Sequence, residues 1–203
     1  MGKLVSQIFV SLDGVYQAPG GPEEDPGGGF DQGGWTVPYF SAEEGGRFID
    51  EVFGAVGAFL LGRHTYDIFA GYWPKVTDPG NPVAVKLNSL PKYVPSSTLT
   101  DPAWAHTTVL GGDLAKEVTD LKESVDGELQ VHGSGALLRS LLALDLVDTI
   151  HLFTFPVLLG AGRRLFAEGG LPTAFTRRSG LVTSQGVSIQ TYDWAGRPAY
   201  GSF

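Results

Sequence analysis

Residues 129–144 read LQVHGSGALLRSLLAL, and this stretch decides the fold class. Residues 129–131 favour a short strand, whereas residues 137–144 are rich in leucine and favour a helix. Gly133 and Gly135 lie between the two and indicate a tight turn. A strand that passes through a glycine turn into a helix is typical of a sheet covered by helices. The stretch therefore predicts an α/β protein.

The same alternation extends in both directions along the chain. Apolar periodicity predicts further strands at residues 4–10, 58–61, 92–94, 107–110 and 149–155. Further helices are predicted at residues 41–56, 65–70 and 114–121, with Ser41 and Glu44 forming a capping box at the start of the first. Strands that alternate with helices predict a mostly parallel central sheet flanked by helices.

The carboxy-terminal part departs from this alternation. Residues 175–182 and 187–194 are two strand-like runs joined near Ser184, Gln185 and Gly186, which predicts an antiparallel hairpin at one edge of the sheet. The chain has 203 residues, of which 42% are hydrophobic and 18% charged, enough for one sizeable core. We therefore expect a single domain over residues 1–203.

Composition excludes several classes of function. A formal net charge of -8 disfavours nucleic-acid binding, which depends on basic residues facing phosphates. The chain has no cysteine and only four dispersed histidines, so no metal site is expected. Its apolar runs fall far short of the roughly 20 residues that cross a bilayer, and its first residues resemble no secretion signal. We expect no membrane partner and a cytoplasmic location.

Two turns have the features of a phosphate site. In Gly62-Arg63-His64-Thr65, the glycine permits close approach and the arginine adds positive charge. In Gly133-Ser134-Gly135-Ala136, small side chains leave room for a pyrophosphate beside the backbone. The alternative is that both turns use glycine only for geometry and Thr65 only as a cap. Neither turn completes the G-x-G-x-x-G fingerprint of dinucleotide-binding folds.

An ordered set of motifs resembles the RibD C-terminal and dihydrofolate reductase-like proteins. The set comprises Ser11-Leu12-Asp13-Gly14, the two glycine turns, Ser96-Ser97, and PVLLGAGRRLF at residues 156–166 with Leu146-Val147-Asp148 before it. The resemblance covers nearly the whole chain and implies a dihydrofolate reductase-like fold with NADPH as cofactor. It implies that Gly62, Arg63, His64 and Thr65 bind cofactor phosphates, that Ser96 and Ser97 lie beside the adenosine ribose, and that Gly133, Ser134, Gly135 and Ala136 form the pyrophosphate loop.

The resemblance also bears on assembly. Proteins of this family commonly pair through a sheet edge and the carboxy-terminal hairpin, and here that part of the chain carries Tyr192, Trp194 and Tyr200. Unprotected edge strands tend to find partners, and aromatic side chains are favoured at interfaces. The expected state is a homodimer.

The proton donor and the substrate are less well defined by the sequence. Trp35-Thr36-Val37-Pro38 resembles the approach to the acid of dihydrofolate reductases, but Phe40 replaces that acid. The candidates for a catalytic carboxylate are Asp13, whose alternative role is to form a turn, and Glu44, whose alternative role is in the capping box. The candidates for a substrate-stacking wall are Tyr16, Trp35, Phe40, Tyr72 and Trp73.

A glycine- and proline-rich segment at residues 17–34 is too long for an ordinary connection, and is either functional or loosely ordered. The leading interpretation is an NADPH-dependent reductase of a pteridine, a pyrimidine or another small conjugated compound, in the manner of riboflavin-pathway reductases. The alternatives are a true dihydrofolate reductase and a nucleotide- or pterin-binding protein without turnover.

Overall fold

The computed structural model describes residues 2–41, 43–166 and 169–202. All eight named strands join one sheet in the order β4-β3-β2-β5-β1-β6-β8-β7. The first six strands of that order are parallel, and β8 runs antiparallel to both β6 and β7. The strands are β1 (Leu4–Ser11), β2 (Val56–Leu60), β3 (Lys92–Pro95), β4 (Thr107–Leu110), β5 (Glu128–His132), β6 (Thr149–Phe155), β7 (Phe175–Val182) and β8 (Ser188–Trp194).

The helices connect these parallel strands. They are α1 (Glu44–Gly54), α2 (Arg63–Tyr72), α3 (Pro82–Ser89), α4 (Leu114–Ser124) and α5 (Gly135–Ala143). The predicted α/β architecture and the carboxy-terminal hairpin are confirmed, whereas α3 was not predicted. The signal was present, because Pro82 occupies the first turn and the side chain of Asn81 accepts a hydrogen bond from the Ala84 amide at 3.0 Å.

The hydrophobic core contains the central strands, which are buried on both faces of the sheet. β1 is almost wholly buried, as expected for a strand in the middle of a parallel sheet. Leu129 and Val131 of β5 pack in the same cluster as Leu138 and Leu141 of α5. Each such buried leucine or valine stabilises the fold by roughly 1.5–3 kcal/mol. This packing holds the turn between β5 and α5 in place.

The predicted capping box is only half formed. Ser41 Oγ accepts a hydrogen bond from the Glu44 amide at 3.3 Å. The Glu44 carboxylate accepts hydrogen bonds from the amide and the hydroxyl of Ser184, at 2.8 and 2.7 Å, instead of from the Ser41 amide. These bonds lower the pKa of Glu44. Glu44 therefore joins the start of α1 to the turn between β7 and β8.

The helices are too short or too polar to cross a bilayer within the described part of the chain.

Candidate active site

A cleft of about 860 Å³ opens at the carboxyl ends of the parallel strands. Gly62 follows β2, Pro95 ends β3, and Gly133 follows β5, and all three line the cleft. The middle of β1 contributes Ile8 and Phe9. Open α/β sheets bind their ligands at this edge, where strand ends and helix beginnings meet. The cleft is therefore the candidate active site.

The two glycine turns are joined to each other across this cleft. The Gly62 amide donates a hydrogen bond to Ser134 Oγ at 2.9 Å, and the Ser134 amide donates one to Thr65 Oγ1 at 3.1 Å. Gly133 and Ser134 both adopt left-handed backbone conformations, with φ of 57° and 53°. A glycine is favoured at the first of these positions because it has no Cβ to strain. The two turns thus form one continuous surface.

The joined turns leave the starts of two helices facing the cleft. The side chain of Ser134 makes no cap hydrogen bond to the first turn of α5, and Gly62 has no side chain with which to cap α2. Backbone amides at a helix start and the helix dipole both favour an anion. All eight residues of the two turns that the sequence proposed for the cofactor line the cleft, namely Gly62, Arg63, His64, Thr65, Gly133, Ser134, Gly135 and Ala136.

Arg63 lies at the outer part of this surface. Its Nε contacts both oxygens of Asp67 at 2.9 Å, and its Nη1 donates to Thr98 Oγ1 at 3.3 Å. Ser96 follows β3 and accepts hydrogen bonds from the amides of Thr98 and Leu99. Ser96 and Ser97 therefore lie at the same sheet edge as Arg63, but neither is among the residues that line the cleft.

The structure divides the five aromatic residues proposed for the substrate. Tyr16, Phe40 and Trp73 line the cleft. Trp35 is buried, and its Nε1 donates a hydrogen bond to the Gln17 carbonyl at 2.7 Å. Tyr72 is 60% exposed and does not line the cleft. Trp35 and Tyr72 are thus placed for other roles, one in the core and one at the surface.

Asp13 lies outside the cleft in a network of donors. Its carboxylate accepts hydrogen bonds from the amides of Leu159 and Gly160, at 3.2 and 2.9 Å, and from the side chains of Ser11 and Arg164. The Ser11 hydroxyl is the strongest of the influences that hold the pKa of Asp13 far below its ordinary value. A carboxylate so held keeps its negative charge and fixes the turn after β6. Neither this placement nor that of Glu44 suits a proton donor to a cleft ligand.

The segment at residues 17–34 contributes cleft residues that were not predicted as site residues. Gln17 holds it in place, because its Nε2 donates to the carbonyls of Asp25 and Gly27 and its Oε1 accepts from the Arg163 amide. The side chain of Asp25 is 7% exposed, pairs with Arg163, and lies 2.9 Å from His64 Nε2. Part of this segment is therefore a wall of the cleft. Its one signal in the sequence was the acidic run inside a glycine-rich stretch.

His132 is another cleft residue that was not predicted as a site residue. It lines the cleft at the end of β5 and packs against the rings of Phe53 and Phe59. Its Nε2 contacts Gln130 Oε1 at 3.0 Å. Burial lowers the pKa of His132 to about 3. Its imidazole is therefore neutral near pH 7 and adds no positive charge to the site.

Comparison with known proteins places the chain in a family. The RibD C-terminal domain model matches residues 2–193, and the chain belongs to that family. The uncharacterized protein YyaP of Bacillus subtilis (strain 168) is 24% identical over 200 residues, which are 96% of each chain. Family membership suggests a reductase-type function.

Two solved structures share the fold. A protein of Shewanella sp. PV-4, named for riboflavin biosynthesis, is similar with a TM-score of 0.75 and 22% identity over 95% of this chain and 99% of its own. Dihydrofolate reductase from Enterococcus faecalis, complexed with NADP(H) and RAB-propyl, gives a TM-score of 0.55 and 13% identity over 95% and 96%. The dihydrofolate reductase-like fold predicted from the motifs is thereby confirmed.

Proposed function

We propose that this protein is an NADPH-dependent reductase of a small, flat, conjugated substrate of the pteridine or pyrimidine type. The observation that carries the proposal is the pair of joined glycine turns, which present backbone amides and Arg63 at one edge of an apolar cleft. In a chain of net charge -8, such a local concentration of donors suits an anionic cofactor. The enzyme of Enterococcus faecalis with the same fold holds NADP(H).

The residues present fit the cofactor. The amides of Gly133 and Ser134 donate to Gln7 and Thr65, so those of Gly135 and Ala136 at the start of α5 suit its pyrophosphate. Arg63 with the nearby Ser96 and Ser97 suits the 2'-phosphate and ribose. When bound, the reduced nicotinamide supplies a hydride, which is the cofactor's own chemistry. The apolar side chains of Ile8, Phe9 and Phe53 line the inner cleft and would keep water from the reacting atoms when the ligands are bound.

The substrate would bind against aromatic side chains that line the cleft. Tyr16, Phe40 and Trp73 offer flat surfaces on which a heteroaromatic ring stacks. The α1 residues that line the cleft are Ile49 and Phe53, so this helix presents no carboxylate there within the described residues. This arrangement disfavours the alternative of a true dihydrofolate reductase, in which a helix carboxylate binds the pterin.

A screen of NADPH consumption against oxidised pterins, pyrimidines and dihydrofolate tests the proposal. We expect saturable NADPH binding by calorimetry and turnover of at least one conjugated compound. Binding without turnover of any compound would favour the alternative of a nucleotide-binding protein. A chain that binds neither NADPH nor NADH would contradict the cofactor assignment.

Arg63→Ala is expected to weaken NADPH binding about tenfold and NADH binding much less. A charge-assisted hydrogen bond to phosphate contributes roughly 1.5–3 kcal/mol, and a loss of 1.4 kcal/mol lowers affinity tenfold. Calorimetric titration of both cofactors checks the difference. Arg47→Ala is the control, because Arg47 pairs with the exposed Glu43 and is not among the described residues that line the cleft. Equal losses for the two cofactors would place the 2'-phosphate elsewhere.

We also propose that the protein is a homodimer paired through β7. This strand ends the sheet, and its residues from Thr176 to Val182 are exposed on both faces. Leu181 and Val182 add exposed apolar area to this terminal strand, and edge strands tend to pair with a further strand. Light scattering should give the mass of two chains, and Val182→Lys should shift the equilibrium toward the monomer. A single-chain mass across a wide concentration range would overturn this proposal.

A further inference from the structure

Two acidic side chains line the cleft in the part of the chain that the structure describes. They are Glu24 and Asp25, and both belong to the segment at residues 17–34. The reduction of a C=N or C=O bond needs a proton as well as a hydride. The carboxyl groups of Glu24 and Asp25 are therefore the candidates for the proton donor. Their surroundings differ sharply.

Asp25 is already committed to structural contacts. Its Oδ2 pairs with Arg163 and lies 2.9 Å from His64, and its Oδ1 accepts a hydrogen bond from the Gly27 amide at 3.3 Å. A carboxylate that faces an arginine stays ionised. Asp25 therefore positions the segment and does not carry a transferable proton.

Glu24 is anchored through one oxygen only. Its Oε2 accepts hydrogen bonds from the amides of Gly20 and Gly21, at 2.5 and 3.1 Å. Within the described residues no hydrogen bond reaches Oε1 and no cationic side chain pairs with the carboxylate. Burial raises the pKa of Glu24, against the opposing effect of the two amides. The group is thus held in position with one oxygen available for a proton.

We propose that Glu24 is the proton donor of this cleft, an inference that rests on the proposed reductase function. The hydride adds to one atom of the substrate double bond, and the Oε1–H bond of Glu24 breaks as its proton passes to the other atom. The two electrons come from the reduced nicotinamide, which is oxidised. The resulting carboxylate is reprotonated from water before the next turnover.

Glu24 lies in a different part of the chain from the helix carboxylate of dihydrofolate reductases. The acid comes instead from the segment that precedes α1, and the amides of Gly20 and Gly21 set its position. A Cβ at Gly20 would lie 3.1 Å from Glu24 Oε2, so the absence of a side chain there makes room for the carboxylate. A Cβ at Gly21 would meet no atom within 4 Å. The two glycines therefore provide a matched pair for testing the position of Glu24.

Glu24→Gln tests the proposal, with Glu23→Gln as the control. We expect Glu24→Gln to lower kcat about 100-fold, within the range for removal of a general acid, while NADPH affinity changes less than twofold. In the parent enzyme kcat/KM should fall as pH rises through the pKa of Glu24, and the variant should lose this dependence. The exposed Glu23 does not line the cleft, so its variant should keep the parent rate and pH profile.

A readout independent of turnover is the carboxyl ¹³C titration of Glu24, assigned by difference with Glu24→Gln. Titration above the ordinary glutamate pKa supports the proposal, and titration at or below that value overturns it even if no substrate is turned over. Absence of turnover in the parent instead overturns the reductase function. Gly20→Ala should lower kcat more than Gly21→Ala. A parent-like rate and pH profile for a folded Glu24→Gln would also overturn the assignment.

Discussion

Gly62→Val is expected to weaken NADPH binding at least 100-fold while leaving the chain folded. A Cβ at residue 62 would lie 3.2 Å from both Cβ and Oγ of Ser134, so valine must push the two glycine turns apart. The backbone is not the obstacle, because Gly62 has φ of -61° and ψ of 147°, a conformation that valine prefers. Displacement of the second turn would remove the hydrogen bonds from its amides to the pyrophosphate, and two such bonds at roughly 1.5–3 kcal/mol each correspond to a loss of affinity of about 100-fold or more.

Two further variants distinguish displacement of the glycine turns from a general loss of folded structure. Gly71→Val changes the same α2 helix at a position where a Cβ meets nothing within 4 Å, and it should bind NADPH like the parent. Adding Ser134→Gly to Gly62→Val removes the clashing atoms and should restore part of the affinity. Calorimetry measures binding, and urea denaturation checks the fold. Parent affinity in a folded Gly62→Val would show that the cofactor does not use the joined turns.

Local sequence patterns predicted the strands well because runs of β-branched and aromatic residues that end at turn residues leave a strong signal. The predicted bounds of β4, β6 and β7 coincide with the observed ones, and those of β1 differ by one residue. The glycine turns were recognisable for a similar reason, since each is a short contiguous motif between a strand and a helix. Their direct contact was not predictable, because Gly62 and Ser134 are 72 residues apart and meet only when β2 and β5 pair.

The acids were harder to place because a carboxylate has the same sequence signature in a turn, at a helix start or in a cleft. Asp13 follows the first strand, as a ligand-binding acid would. Its carboxylate instead accepts hydrogen bonds from the amides of Leu159 and Gly160, which lie far along the chain. Glu44 begins a helix but contacts Ser184 instead of the cleft. Glu24 stands in a polar segment with no periodicity, and its burial depends on long-range packing that local patterns do not record.

That long-range packing depends on Arg163, and Arg163→Ala is expected to release the segment at residues 17–34. Removing the guanidinium leaves the carboxylate of Asp25 buried without its main partner. Loss of one member of a buried ion pair costs about 3–5 kcal/mol, and the partial exposure of Arg163 reduces the expected loss to roughly 2 kcal/mol. Arg47→Ala removes an ion pair exposed on both sides and should cost no more than about 0.5 kcal/mol.

The release should be visible as faster hydrogen exchange in the segment and faster cleavage after Glu23 or Glu24 by a glutamyl endopeptidase. Asp25→Asn removes the charge that needs a partner, so adding it to Arg163→Ala should cost less than the sum of the two single changes. Because the same segment carries Glu24, Arg163→Ala should also lower kcat. Additive losses in the double variant, or unchanged protection of the segment, would show that the contact between Asp25 and Arg163 does not hold this wall of the cleft in place.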